Sequence, residues 1–196
     1  MDDLYHLVQF LHVMSFAFMS IPLFNLIVVN ERAQLGVAFD YHTDRYFENI
    51  IRRGSVRCFV FQTTVLLTGI LLLVLGHLGI ATLWTSWVML AKTILLLTLM
   101  GLLSYVHFGL QPKIEALLAT VDASASAPAD FAAQLKPYRV RRKRLATICL
   151  FLVITAIILG LQVYATFSPY LTVGLIMLAA LFALRVNRTL MRFGWL

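Results

Sequence analysis

The composition of this chain of 196 residues is that of a membrane protein. Hydrophobic residues make up 61% of it and charged residues only 13%, whereas soluble domains are about 45–50% apolar and about 25% charged. A soluble globular fold is excluded, because the sequence lacks the polar surface that a core of this size would need. The net charge of +7 must then reflect where the basic residues stand along the chain.

Long apolar runs predict an all-α bundle of five transmembrane helices. About 20 apolar residues are needed to cross about 30 Å of hydrocarbon at 1.5 Å per residue, and the first four runs reach that length. The fifth run begins at Pro169 and is shorter, but Arg185 and Arg188 can extend to the interface and let it cross. The predicted helices cover residues 4–29, 58–80, 87–110, 145–167 and 169–186.

Two polar connections, residues 31–57 and 120–135, are long enough for a structure to be predicted for each. In residues 31–57, apolar side chains recur at helical spacing and Glu48 stands four residues before Arg52, which predicts an interfacial helix leading into the second span. Residues 120–135 contain the small-residue stretch "DASASAPAD", which is typical of a flexible linker.

The basic residues predict the orientation of the chain. Of the 16 Lys and Arg residues, 15 lie in alternate connections or in the C-terminal tail, and only Lys92 does not. The positive-inside rule then places the N-terminus outside, and the C-terminus and residues 120–135 in the cytoplasm. The run "RVRRKR" (139–144) is interpreted as a topology signal in contact with anionic lipid, not as a nucleic-acid site. The expected location is the cytoplasmic (inner) membrane of a bacterium.

Few ionisable side chains fall within the predicted spans, where they are costly and usually functional. His6 and His12 share one face of the first helix, in its outer half. His77 stands near the outer end of the second helix and Lys92 near the outer end of the third. These groups are therefore expected to converge in one leaflet. His107 lies on the same predicted face as Lys92, about 22 Å further along the helix.

Imidazoles inside a helix bundle suit two metal cofactors. Haem iron takes one or two histidines, and copper takes imidazole together with thioether sulfur. His12 and His77 are the candidate metal ligands for either cofactor. Structural roles compete with this hypothesis: Lys92 can extend to the outer surface, and His6 and His77 can lie among lipid headgroups. The two cysteines fall at predicted cytoplasmic helix ends without a CxxC motif, so neither a disulfide nor a metal is predicted there.

The segments "FLHVMSFAFMSIPLF" (10–24) and "WVMLAKTILLLTLMGLLSYVH" (87–107) resemble a group of small bacterial membrane proteins that includes HemJ and the membrane domain of CopD. The stretch "RGSVRCFVFQTTVLLTGILL" (53–72) extends the resemblance, which covers about the first 110 residues. HemJ-like proteins bind b-type haem and depend on a histidine of the first helix and a lysine of the third. His12 and Lys92 stand at the matching positions of this chain.

The resemblance implies a protein that binds haem b and takes part in electron transfer or haem-linked redox chemistry. Copper handling of the CopD kind is the alternative, and a non-catalytic accessory subunit of a larger membrane complex is the third hypothesis. The candidate cofactor-binding residues are His6, His12, His77, Lys92 and His107. Expected partners are the lipid bilayer, other membrane subunits or further copies of the chain, with no nucleic acid. No catalytic residue is predicted.

Overall fold

In a computed structural model, residues 2–35, 39–76, 79–121 and 130–190 are described, and their regular structure is helical throughout. Five of the helical stretches are long and apolar enough to cross a membrane, so the predicted all-α architecture is confirmed. The helices are α1 (Asp2–Glu31), α2 (Tyr41–Leu75), the short α3 (Thr82–Thr85), α4 (Trp87–Ser104), α5 (Gln111–Leu118), α6 (Phe131–Leu161) and α7 (Pro169–Arg188). A π-helical segment, Tyr105–Leu110, joins α4 to α5 without a break.

Polar side chains define where two of these helices start. The Asp40 carboxylate accepts a hydrogen bond from the backbone amide of Thr43 at 2.9 Å and caps α2. Ser168 directly precedes Pro169, the first residue of α7, and its hydroxyl accepts a hydrogen bond from the backbone amide of Leu171 at 3.3 Å. Both caps satisfy amide groups that a helix leaves without an internal partner.

Helix α6 stands at the centre of the bundle, in contact with α1, α4 and α7, while α1 also packs along α2. The main core lies between these helices and is apolar. Its buried members include Met19, Leu23, Leu99, Leu150 and Val153. Large apolar side chains also cover the outside of the bundle, which is the arrangement that contact with lipid requires.

A second, smaller core lies beyond the first. It consists of Ile114, Leu118, Val121, Phe131 and Leu135, all nearly fully buried. Helix α2 has 35 residues, which corresponds to about 52 Å, or about 20 Å more than the hydrocarbon layer. The bundle is therefore longer than a hydrocarbon layer is thick, and the second core lies at one end of it. We refer to this part as the basic end, and to the opposite part, with Trp84, Trp87, Tyr164 and Tyr170, as the aromatic end.

Helices α2 and α6 begin earlier than hydropathy indicates. Residues 41–57 are the first half of α2, and their buried face packs on protein, not on lipid. The first turns of α6 include Phe131 and Leu135, at the end of the segment predicted to be a linker, and both are buried. Residues 122–129 of that segment lie outside the described ranges. A hydropathy average does not identify these polar helical turns as buried, because it counts charged side chains as polar even where they are paired with one another.

Candidate functional site

His12 is held against helix α2 within the aromatic half of the bundle. Its Nδ1 atom lies 2.9 Å from the Thr68 hydroxyl oxygen. That hydroxyl donates its only hydrogen to the backbone carbonyl of Thr64, so it accepts from Nδ1–H of the imidazole. We assign this tautomer from the hydrogen-bond pattern. It leaves the lone pair of Nε2 available.

Gly69 makes room for the His12 ring. A Cβ atom at Gly69 would lie only 3.2 Å from Cε1 of the imidazole. The ring therefore approaches the α2 backbone more closely than a side chain at this position would allow. Together with Thr68, this contact fixes both the position and the orientation of His12.

Lys92 is the second polar group in this part of the bundle. It stands on α4, half-buried, and its ammonium lies 3.9 Å from where a Cβ of Gly160 on α6 would be. It is close enough to His12 for the two to interact electrostatically. Within the described ranges, no carboxylate oxygen lies within 4.0 Å of the ammonium. An ammonium held there can pair with an anionic group of another molecule.

The other residues predicted for this site are placed elsewhere. His6 is exposed and contacts the ring of Tyr5 edge-on, at 5.8 Å between centroids. It does not join His12 because its side chain points away from the bundle interior. His77 lies outside the described residues. Gln9, which shares the face of His12, donates to the Tyr164 hydroxyl at 3.0 Å and links α1 to the turn after α6.

His107 occupies the π-helical segment, apart from His12. Its ring packs edge-on against Phe59 and Phe108, with centroids 5.7 and 4.8 Å away. Its Nδ1 atom is buried and has no hydrogen-bond partner among the residues that the structure describes. π-Helical turns often occur at functional sites, but in the described part of the chain His107 belongs to no group of three or more His, Cys, Asp or Glu side chains that could hold a metal ion.

A network of buried charges at the basic end was not predicted from the sequence. Arg142 donates two hydrogen bonds to the Glu48 carboxylate, at 2.7 and 2.9 Å, and one each to Asn30 and Gln111. Arg139 bridges Glu48 and Asp44, the latter at 2.7 Å. Four helical elements are thereby joined through side chains that are nearly inaccessible to solvent.

The network continues to the ends of α1 and α7. Arg32 pairs with Asp44 at 3.1 Å. Lys143 donates to the side chain of Gln34 and to the backbone carbonyl of Thr189, and it pairs with Glu31 at 3.4 Å. The sequence-based interpretation of "RVRRKR" as a lipid-facing run is therefore wrong for Arg139, Arg142 and Lys143. These residues face protein because the helical repeat alternates them with the exposed Arg141 and Arg144.

The geometry at the aromatic end defines its chemistry. An imidazole with a fixed ring and a free Nε2 can donate an electron pair to a metal or take up a proton. The Lys92 ammonium in the same part of the bundle can bind a carboxylate or phosphate oxygen. The pair is thus suited to a ligand that carries both a metal and an anionic group. No known family model, no curated protein and no solved structure matches the chain.

Proposed function

We propose that this chain is an integral membrane protein that binds a b-type haem at its aromatic end and serves in electron transfer. His12 would ligate the haem iron through Nε2, and Lys92 would pair with a haem propionate. The observation that carries the proposal is the fixed His12 ring, with Nδ1 engaged by Thr68, together with a lysine that has no carboxylate within 4.0 Å among the described residues.

The residues present fit such a group. Haem brings four equatorial nitrogens, so it needs only one or two protein ligands. The described ranges contain no group of three or more His, Cys, Asp or Glu side chains of the kind that holds a bare metal ion. One imidazole is therefore better matched to haem than to copper. His77 remains the candidate for a second axial ligand.

The neighbours of His12 have defined roles in this proposal. Thr68 accepts from Nδ1–H, which fixes the tautomer and makes Nε2 a better electron-pair donor. Gly69 allows the ring to sit close to α2. Lys92 binds the negative charge of a propionate at a depth where the ammonium would otherwise be costly. The haem supplies a one-electron couple when it is bound.

The test is the visible absorption spectrum of protein purified from membranes supplied with haem. We expect a Soret band that shifts on reduction with dithionite, at about one haem per chain. Thr68→Val keeps the side-chain volume but removes the acceptor for Nδ1–H, so haem affinity should fall about 10–100-fold. Thr68→Ser keeps the hydroxyl and should retain most of the affinity.

Two results would contradict the proposal. Haem-free protein that still carries stoichiometric copper, lost on His12→Ala, would support the copper alternative. Protein that carries neither cofactor but co-purifies with other membrane chains would support an accessory subunit. Equal haem affinity in the wild type and in Thr68→Val would remove Thr68 from the site.

We also propose an orientation, with the N-terminus and the aromatic end outside and the basic end in the cytoplasm of a bacterial cell. Exposed basic residues cluster at the basic end, including Arg52, Lys113, Arg141 and Arg188. Trp84, Trp87 and Tyr170 at the other end are 64–90% exposed, which is typical of an aromatic belt at a membrane surface.

Cysteine labelling in intact cells tests this orientation. Ala165→Cys, exposed at the aromatic end, should react with a membrane-impermeant maleimide added from outside. Thr120→Cys, exposed at the basic end, should react only after the cells are opened. The wild type is the matched control because Cys58 and Cys149 lie in the bundle interior. Labelling of Thr120→Cys in intact cells would reverse the orientation.

A further inference from the structure

Arg141 of α6 and Tyr105 of the π-helical segment form a stacked pair on the outside of the bundle. The guanidinium carbon of Arg141 lies 5.4 Å from the centroid of the Tyr105 ring. Both side chains are exposed, so the pair faces the surroundings of the protein and not its core. A guanidinium is attracted to the face of an aromatic ring, and this contact restrains Arg141 in one position.

Gly109 makes room for the Tyr105 ring. A Cβ atom at Gly109 would meet two ring carbons of Tyr105, at 3.4 and 3.5 Å. The ring therefore lies over the residue four positions later in the chain, on the side of the basic end. Here it gives Arg141 a fixed surface on which to stack. The whole arrangement falls within the π-helical segment, a type of turn that often occurs at functional sites.

The hydrogen-bond donors of this pair have no partner in the part of the chain that the structure describes. No carboxylate there lies within 4.0 Å of the Arg141 guanidinium, and neither Arg141 nor the Tyr105 hydroxyl forms a hydrogen bond with a described residue. Arg139 and Arg142, by contrast, donate to buried carboxylates. A guanidinium held flat with its N–H groups free is suited to a phosphate, which accepts two parallel hydrogen bonds from it.

The pair lies at the depth of lipid headgroups. Tyr105 follows Trp87 by 18 residues in a continuous helix, which corresponds to about 27 Å. The hydrocarbon layer is about 30 Å thick, and Trp87 stands at the aromatic end. Tyr105 therefore lies near the opposite boundary of this layer. It is also separated from the proposed haem site, since Lys92 stands about 20 Å away along the same helix.

We propose that Arg141, stacked on Tyr105, binds the phosphate of one anionic phospholipid at the basic end. The guanidinium and the Tyr105 hydroxyl donate to the phosphate oxygens. Arg144, exposed one turn later on α6, adds a second positive charge, which favours a headgroup with net negative charge over a zwitterionic one. Ile148 is 48% exposed on the following turn, so an acyl chain of the same lipid has apolar surface to contact. This surface favours a lipid over free phosphate.

Native mass spectrometry of the full-length protein, released from micelles that contain phosphatidylglycerol, tests the site. The wild type should retain one phosphatidylglycerol per chain and should bind phosphatidylcholine more weakly. Arg141→Gln should weaken the retention about tenfold, the usual effect of losing a hydrogen bond between charged groups. Tyr105→Leu should weaken it about threefold, as expected for the loss of an exposed cation–π contact.

Arg57→Gln is the matched control because it removes the same charge at a similar depth. Arg57 is exposed on α2, two residues before Phe59, whose ring contacts His107 of the π-helical segment. No aromatic ring of the described residues lies under its guanidinium. The variant should retain phosphatidylglycerol as the wild type does.

Three results would overturn the proposal. Equal losses in Arg141→Gln and Arg57→Gln would show that lipid responds only to the overall positive charge of the basic end. Equal retention of phosphatidylcholine and phosphatidylglycerol by the wild type would show that the charge of the headgroup is not recognised. Displacement of phosphatidylglycerol by millimolar inorganic phosphate would identify a site for a soluble phosphate and not for a lipid.

Discussion

Glu48→Ala should lower the free energy of unfolding by about 3–5 kcal/mol, the usual cost of removing one partner from a buried ion pair. Glu48 is 1% exposed and accepts hydrogen bonds from both Arg142 and Arg139. Without its carboxylate, the partners left to Arg142 among the described residues are Asn30 and Gln111. Its charge then remains buried without an opposite charge in contact.

Glu115→Ala is the matched control. Glu115 is 29% exposed, and its carboxylate lies 3.9 Å from an Arg52 guanidinium that is 51% exposed. Exposed pairs of this kind contribute about 0–1 kcal/mol, so the variant should unfold almost as the wild type does. Unfolding in detergent micelles, followed by circular dichroism against temperature or denaturant, measures both. Equal losses for the two variants would show that the network does not hold the helices together.

A double replacement separates loss of charge from loss of shape. Glu48→Leu with Arg142→Met removes both charges and keeps most of the side-chain volume. It should be more stable than Glu48→Ala, because no buried charge is left without its partner. A double variant that is less stable than Glu48→Ala would indicate that the remaining contacts of Arg142 matter more than the pair.

His12→Ala should abolish the haem spectrum, with haem content falling at least tenfold, in the range of about 10–100-fold typical of metal-site losses. The protein should still insert into the membrane, because His12 is only half-buried and its hydrogen bonds, with the Thr68 hydroxyl and the Val65 backbone, are both to helix α2. Visible absorption of equal amounts of purified protein gives the haem content.

Two variants act as controls for His12→Ala. Lys92→Met removes the partner of a propionate but leaves the iron ligand, so it should weaken haem retention less. His6→Ala removes an exposed imidazole at the membrane surface and should have little effect. If His12→Ala keeps the Soret band and reduction potential of the wild type, His12 is a structural histidine whose hydrogen bond to Thr68 satisfies it.

The number of long apolar helices was predictable because each apolar run carries its own signal. Hydropathy could not predict how far the helices continue, since charged turns lower the average even where they are buried. A signal was nevertheless present. On α6, Leu135, Arg139, Arg142 and Ala146 follow the helical spacing of a buried stripe. Basic residues that fall on such a stripe need acidic partners, and α2 supplies them.

In the candidate site, too, some residues could be predicted from the sequence, whereas others are identified only by tertiary packing. His12 and Lys92 could be selected from the sequence, because ionisable residues are rare within apolar helices. The hydrogen bond to Thr68 could not, since Thr68 is one of several threonines on α2 and only the packing of α1 on α2 identifies it. A small cavity in the main core, lined by Cys58 and Cys149 among other residues, also depends on tertiary packing, because these two residues are 91 positions apart in the sequence.

The π-helical segment explains how the continuous helix from Trp87 to Leu118 can contribute buried residues to both cores. Val106, Leu110, Ile114 and Leu118 are all buried, at intervals of four residues. In a regular α-helix each such step overshoots a full turn by about 40°, or about 120° over the three steps. The wider turn at Tyr105–Leu110 absorbs this phase difference, as one inserted residue does. The segment therefore connects two helical registers: the buried residues of α4 face the main core, and those of α5 face the second core.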